Sequence, residues 1–318
     1  MVAISIVIPA YNAEESLERA VASAQAQTIQ DFEIIIVDDA SSDGTVALAQ
    51  RLAAADRRIR VLRNEANSGP SITRNRGFAA ASGEWIAILD SDDAYVPDRL
   101  ERLMSLGRER NADIVADNLA LYDWAAGKIV GDALSRPRPG EVRTVDTRHF
   151  LANCITGQSP FDYGQLKAML RRDFVERHGL RYPDKLRHGE DFILYAEALL
   201  AGANFVLTGS SYYLFTQRVG SVSAESSRMS RTIANFDAMR AYTIALGNHP
   251  AVMRDPALAA LLHRRAEAIV WHQSWVKVYP AVRARNLFGI MSAILRDWRV
   301  APMLARAVYR RFVPAREA

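Results

Sequence analysis

One cysteine, Cys154, occurs in 318 residues, which leaves no pair for an internal disulfide and suits a reducing compartment. There is no C-x-x-C and no Cys/His cluster, so the usual structural zinc sites are excluded. No G-x-G-x-x-G follows a strand, which disfavours a nicotinamide cofactor. A run of about 18 apolar residues is also missing, so a membrane-spanning helix is not expected. The first twelve residues are apolar but carry no basic leader and no cleavage site. We therefore read no secretory signal and expect a cytoplasmic protein.

What is present is ordinary in bulk: 49% hydrophobic and 24% charged residues, as in a soluble globular chain. The length allows one large domain with an appendage, or two modest ones. The net charge of +4 hides an asymmetry. Between Lys277 and Arg316 nine basic residues face one acid, Asp297, a net of +8 that leaves −4 for the rest.

The first 120 residues alternate apolar strands with helices. "AISIVIP" (3–9), "FEIIIVDD" (32–39), "IRVL" (59–62) and "WIAIL" (85–89) read as buried strands. Helical spacing follows the first at Leu17, Val21 and Ala24, with Asn12 and Glu15 spaced as in a capping box. A helix is expected through Ala55 and another over about 71–81. Continuous apolar strands alternating with helices predict a mostly parallel sheet covered on both faces. In such sheets ligands bind beyond the carboxyl ends of the strands. Regularity fades over 123–163, where "SRPRPGE" reads as a loop. Later come a short helix ended by Gly179, a helix over 190–203, strands "NFVLTG" and "SSYYLFTQ", and helices from about 230 onward.

Three strand ends carry unusual chemistry: "PAYN", "VDDASSDG" and "LDSDD". Asp90 and Asp92 stand two apart, so continued strand geometry projects them from one face. Like charges so placed repel unless a cation lies beside them. Oxygen ligands alone suit a hard ion such as Mg²⁺ or Mn²⁺, which takes one or two carboxylates plus substrate phosphates. The bland alternative is an acidic loop capping a helix begun by Pro97. Asp43 reads as a helix cap, whereas Asp39 is placed to accept a ligand N–H. "GPSITRNRG" adds Arg74 and Arg76 near a helix start that favours anions, with Arg74 preferred. Glu190 and Asp191 open a later helix at positions about 100° apart, so only one should face a cleft directly. His188 beside them reads as a polar loop residue.

Residues 1–120 closely resemble the inverting family-2 glycosyltransferases of the GT-A fold. The pieces that carry the resemblance are "SIVIPAYNAEESL", "FEIIIVDDASSDGT", "NSGPSITRNRG" and "GEWIAILDSDDAYVPDRL", in order and spacing. It continues more loosely to about 225 and leaves the last 90 residues unmatched. The fold class implied is α/β, a GT-A sheet with helices on both faces plus a C-terminal helical region. The expected layout is a nucleotide-sugar-binding half (1–120), an acceptor-binding half (121–228) and a helical region with a basic amphipathic tail (229–318).

The resemblance also implies roles. Pro9, Tyr11 and Asp39 would hold the uracil end of a nucleotide-sugar, Tyr11 by stacking, with Arg74 near the nucleotide. Asp90 and Asp92 match the D-x-D motif, Asp92 as ligand to Mn²⁺ or Mg²⁺ and Asp90 toward the ribose. Asp93 matches an extra acid of the motif without an assigned role. The E-D motif assigns the general base to Asp191. In "FTQRVGSVS" Arg218 fills a place near the donor diphosphate that is often a His or an Arg followed by Ser, so a metal shell completed by histidine is not expected here and Arg218 would help neutralise the leaving diphosphate.

The expected activity is single hexosyl transfer from a UDP-sugar, UDP-glucose or UDP-galactose, to a saccharide acceptor. We expect that acceptor to be lipid-linked, in bacterial polysaccharide synthesis. The Q-x-x-R-W motif and membrane helices of processive relatives are both missing. A nucleotidyltransferase should show a Gly-rich basic loop after the first strand, and "PAYNAEE" is not one. An inactive sugar-nucleotide-binding subunit is the remaining alternative. In the tail, Leu287, Ile290, Met291, Ile294, Leu295 and Trp298 form a helical stripe among arginines. Such a helix suits the inner face of an anionic cytoplasmic membrane. No nucleic-acid module accompanies the charge, and no nucleic-acid partner is expected.

Overall fold

The computed structural model describes residues 2–217, 235–302 and 304–305. Its first half is a parallel sheet of β1 (Ile4–Ala10), β2 (Phe32–Asp38), β3 (Ile59–Arg63) and β4 (Trp85–Ile88). The crossovers are α1 (Leu17–Gln25), α2 (Thr45–Ala55) and α3 (Pro70–Ala80). Side chains alternate between two buried faces. Ile4, Ile6 and Ile8 enter the main core, while Val7 packs with Ile86, Ile88 and Phe78 beneath α3. Each such buried aliphatic side chain contributes about 1.5–3 kcal/mol. Helix α3 lies close on β1, since a Cβ at Gly77 would stand 2.2 Å from Val7 Cγ1.

The second half extends the same sheet. It contributes β5 (Ala94–Tyr95), α4 (Arg99–Glu109), β6 (Ile114–Asp123), β7 (Lys128–Asp132), β8 (Val142–Val145) and α5 (Thr147–Asn153). After these come β9 (Met169–Arg171), α6 (Arg172–Arg177), α7 (Glu190–Leu200) and β10 (Phe205–Gln217). The ten-stranded order is β3-β2-β1-β4-β9-β6-β10-β5, with β7 beside β6 and β8 beside β10. Strand β9 is antiparallel to β4 and β6, so β6 and β10 point the same way as β1 and β4. Their carboxyl ends share one edge.

Several local expectations change. Asn12 takes a left-handed conformation (φ 48°) and its side chain accepts from the Ser42 N–H. It therefore braces the next loop instead of capping α1, whose first residue is Leu17. Helix α4 begins at Arg99, two residues beyond Pro97. The stretch 123–163 holds β7, β8 and α5 in place of a long irregular region. The two late strands merge into β10, which tolerates the join through register shifts at Leu207–Ser211 and Ser211–Tyr213. Gly179 (φ 60°) does end α6 in the left-handed conformation that favours glycine.

The helical C-terminal region comprises α8 (Phe236–Ala245), α9 (Pro250–Met253), α10 (Pro256–Arg283) and α11 (Leu287–Arg296). Helix α10 packs on α8 and α5, and α11 lies along α10. Arg265 of α10 is buried over the Phe192 ring of α7 and donates to the Cys154 carbonyl. The expected apolar stripe splits: Ile290 and Ile294 are half-buried, while Leu287, Phe288, Met291, Leu295 and Trp298 are exposed.

Candidate functional site

The shared carboxyl edge gathers "PAYN", "VDDASSDG" and "LDSDD". Pro9 is half-buried near the end of β1, and Tyr11 just beyond it is 48% exposed. Asp38 is fully buried and accepts from the Ser41 N–H. Asp39 is buried and accepts from Asn64 Nδ2, Ser68 N–H and Gly69 N–H, each at 2.8 Å. A carboxylate offers about four acceptor directions, so Asp39 fixes the loop into α3 and keeps one direction in hand. Asp43 accepts from the Thr45 N–H and hydroxyl at the start of α2, the capping role expected of it.

The D-x-D stretch is not a continued strand. The Asp93 N–H donates to the Asp90 carbonyl at 3.0 Å, so 90–93 turns, and Asp90 and Asp93 meet different partners. The expectation of Asp90 and Asp92 on one strand face fails for that reason. Asp90 is turned to Arg74 (2.7 Å) and Lys167 (3.1 Å). Burial works against its charge, but Lys167 and Arg74 outweigh it and hold the carboxyl well below its usual range. Asp93 accepts from the Tyr213 hydroxyl and the Thr216 N–H, tying the turn to β10. Burial, with Asp92 and Asp90 nearby, pushes the Asp93 carboxyl well up. Asp92 is half-buried, and its carbonyl accepts from Arg19 at 3.4 Å.

Behind Asp90 lies a buried charged centre. Arg74 bridges Asp90 and Glu190 (2.6 Å) and stands 4.0 Å from Asp191 Oδ1. Lys167 bridges Asp90 and Asp191 (2.8 Å). Glu190 and Asp191 are both buried and both turned into this centre, because two long cations reach both positions at the start of α7. The expectation that only one of them would face inward is corrected. Arg76 is exposed and holds the Arg63 carbonyl and Asn64 Oδ1. Arg218 lies outside the described residues.

A second buried ion pair adjoins this centre. Arg99 and Asp117 are both fully buried at 2.8 Å, and Arg99 Nη2 also donates to the Lys167 carbonyl.

Among the described residues no three His, Cys, Asp or Glu side chains stand together as a metal cage. Asp90 is engaged by two cations, and Asp92, half-buried in the same turn, supplies a further carboxylate at this edge. That donor set fits a hard divalent ion that takes one carboxylate and completes its shell with diphosphate oxygens and water. It does not fit a metal held by protein alone.

The model of glycosyl transferase family 2 matches residues 5–179. The chain belongs to glycosyltransferase family 2. Over 294 residues it is 32% identical to the succinoglycan biosynthesis protein ExoO of Rhizobium meliloti, covering 92% of this chain and 81% of that one. Its fold resembles that of S. aureus TarS solved with UDP-GlcNAc, with a TM-score of 0.66 at 18% identity over 93% and 92% of the two chains. It also resembles the mannosyltransferase PcManGT of Pyrobaculum calidifontis solved with GDP-Man and Mn²⁺. That TM-score is 0.55 at 19% identity, over 98% of this chain and 81% of the other. The protein is thus a glycosyltransferase with a GT-A fold.

Sequence reasoning found most acids of this glycosyltransferase's centre but missed Lys167. The one signal was a lysine inside the otherwise apolar run "LKAML", where a charge is expensive unless partnered.

Proposed function

We propose that this glycosyltransferase works with inversion, moving a hexose from a UDP-sugar, UDP-glucose or UDP-galactose, to a lipid-linked saccharide in exopolysaccharide synthesis. The observation that carries the reading is the meeting of Asp39, Asp90, Arg74 and Asp191 at one sheet edge. The open acceptor direction on Asp39 suits the uracil N–H, with Pro9 beside the base and exposed Tyr11 stacking on it. Asp90 retains acceptor capacity for ribose hydroxyls, and Arg74 lies near the nucleotide. Arg218 would assist at the diphosphate.

Asp92 would hold a Mn²⁺ or Mg²⁺ ion, which when bound offsets negative charge on the departing diphosphate. Asp191 removes the acceptor proton as the hydroxyl attacks the anomeric carbon in one displacement. The donor class is supported by the UDP-sugar bound to the TarS neighbour, the metal by the Mn²⁺ of PcManGT, and the pathway by the similarity to ExoO.

The division of labour we propose gives donor binding to 1–120, acceptor binding to 121–228 and membrane attachment to 229–318. For the last, α11 supplies Phe288 at 85% and Leu295 at 83% exposure, with Arg283, Arg285 and Arg296 also exposed. That combination suits the cytoplasmic face of an anionic bilayer.

A screen of UDP-sugars for turnover, with Mn²⁺ or chelator, tests the central reading. The expected result is metal-dependent turnover giving a product of inverted anomeric configuration by NMR. No turnover and no UDP binding would sink it. Flotation with anionic liposomes tests the tail, and loss is expected when Leu287, Phe288 and Leu295 are changed to Ser.

A further inference from the structure

Lysine is almost never fully buried, because removing its charge from water costs several kcal/mol unless partners compensate. Lys167 is 7% exposed, and its ammonium touches two carboxylates, Asp191 at 2.8 Å and Asp90 at 3.1 Å. Its backbone is clamped on both sides. The Tyr195 hydroxyl donates to the Leu166 carbonyl at 2.7 Å and accepts from the Ala168 N–H at 3.2 Å. Tyr195 sits four residues after Asp191 in α7, about one helical turn on. The Lys167 carbonyl is in turn held by buried Arg99. Lysine and acid are therefore registered to each other by the two Tyr195 bonds besides their own contact, and Arg99 holds the lysine segment from its other side.

Asp191 is left asymmetric by this arrangement. Its Oδ2 accepts from Lys167, while its Oδ1 is buried 4.0 Å from Arg74 Nη1, with the buried Tyr182 hydroxyl facing the same acid. The other groups facing this acid are Arg74, Glu190, Asp90 and the phenols of Tyr182 and Tyr195.

We propose that Lys167 is a positioning residue for Asp191: its ammonium holds Oδ2 and so fixes the orientation in which the acid meets the acceptor hydroxyl. The proposal rests on the reading of Asp191 as the base. Lys167 itself keeps its proton, with Asp191 and Asp90 outweighing burial. It acts by fixing the rotamer, as misplacement of about 1 Å is enough to cost roughly a hundredfold in rate.

The test is a cycle of Lys167→Met and Asp191→Asn in the full chain, reading acceptor-dependent kcat, donor-dependent turnover and the Kd for UDP by calorimetry. Lys167→Met is expected to lower kcat about a hundredfold while the Kd for UDP moves less than about threefold. In the Asp191→Asn background the same substitution should cost almost nothing further, since it acts through Asp191. Should Lys167→Met fold poorly, Lys167→Ala is measured with and without methylammonium, and partial recovery of kcat is expected.

An equal loss in both backgrounds would overturn the proposal. So would a fall in UDP affinity that matches the fall in kcat, which would make Lys167 a donor-binding group acting through Asp90. Failure to recover with methylammonium counts against it in the same way. A wild-type chain that turns over no nucleotide-sugar would overturn the base reading and this one together. An active wild type with additive losses overturns only this one.

Discussion

The Arg99–Asp117 pair and the Arg74–Lys167 centre sit side by side, joined through the Lys167 carbonyl, yet they are built on different principles. Arg99 and Asp117 are fully buried, one cation to one acid, and the Arg99 guanidinium lies over the rings of Tyr95 and Tyr213, its Nη1 making no hydrogen bond among the described residues. The neighbouring centre sets two cations against three acids, Asp90, Glu190 and Asp191. A closed pair holds β6, α4 and the Lys167 segment in register. An acid-rich centre carries one surplus negative charge. Burial alone does not separate structural from functional charge; the balance of partners does.

That contrast can be broken from either side. Replacing Arg99 by Met strands Asp117 in the core, and we expect a loss of about 3–5 kcal/mol, read by urea unfolding. Adding Asp117→Leu should recover part of it, less the bond that Asp117 Oδ2 accepts from the Tyr212 N–H. Asp191→Asn should do the reverse. We expect turnover to fall about 10²–10⁴-fold while the thermal midpoint moves little, because two cations then face two acids. A large loss of stability there would make Asp191 structural and erase the difference between the two centres.

Gly77→Ala probes the support of Arg74, which lies three residues earlier on α3. The new Cβ would clash with Val7, so α3 must lift from β1, at about 1–3 kcal/mol. A drop in UDP affinity should accompany it.

The smallest expected effect concerns Glu33, at the far end of the sheet. Burial raises its pKa, but hydrogen bonds from Ser5 and Ser82, helped by Arg60, bring it below the ordinary value. Its contribution is therefore present above about pH 4.3 and is lost as pH falls through the lower folded-state value. Glu33→Gln should cost about 1 kcal/mol at pH 7. The gap from wild type should close on acid titration followed by circular dichroism.

Much of the sheet's carboxyl edge was legible because its signals are local. Apolar strands alternating with helices gave the parallel sheet, and "VDDASSDG" carried both the Asp43 cap and the placement of Asp39 at a strand end. The errors were also local in origin. Period-two geometry was carried through Asp90 and Asp92, although the chain turns there to pair the Asp93 N–H with the Asp90 carbonyl. Asn12 looked like a helix cap, but its side chain is used across 30 residues by Ser42.

The chain's own order of residues thus settles the fold family, the motif positions and the identity of the acids, since each depends on short-range periodicity and spacing. Only the tertiary structure decides what answers those acids. Arg74 meets Glu190 across 116 positions, and Lys167 meets Asp191 across 24. No local pattern encodes such pairings. The second follows from β9 entering the sheet between β4 and β6, which brings Lys167 beside the turn after β4. The repulsion read from "LDSDD" is real in the sequence, and the cations that relieve it at Asp90 exist only in the fold.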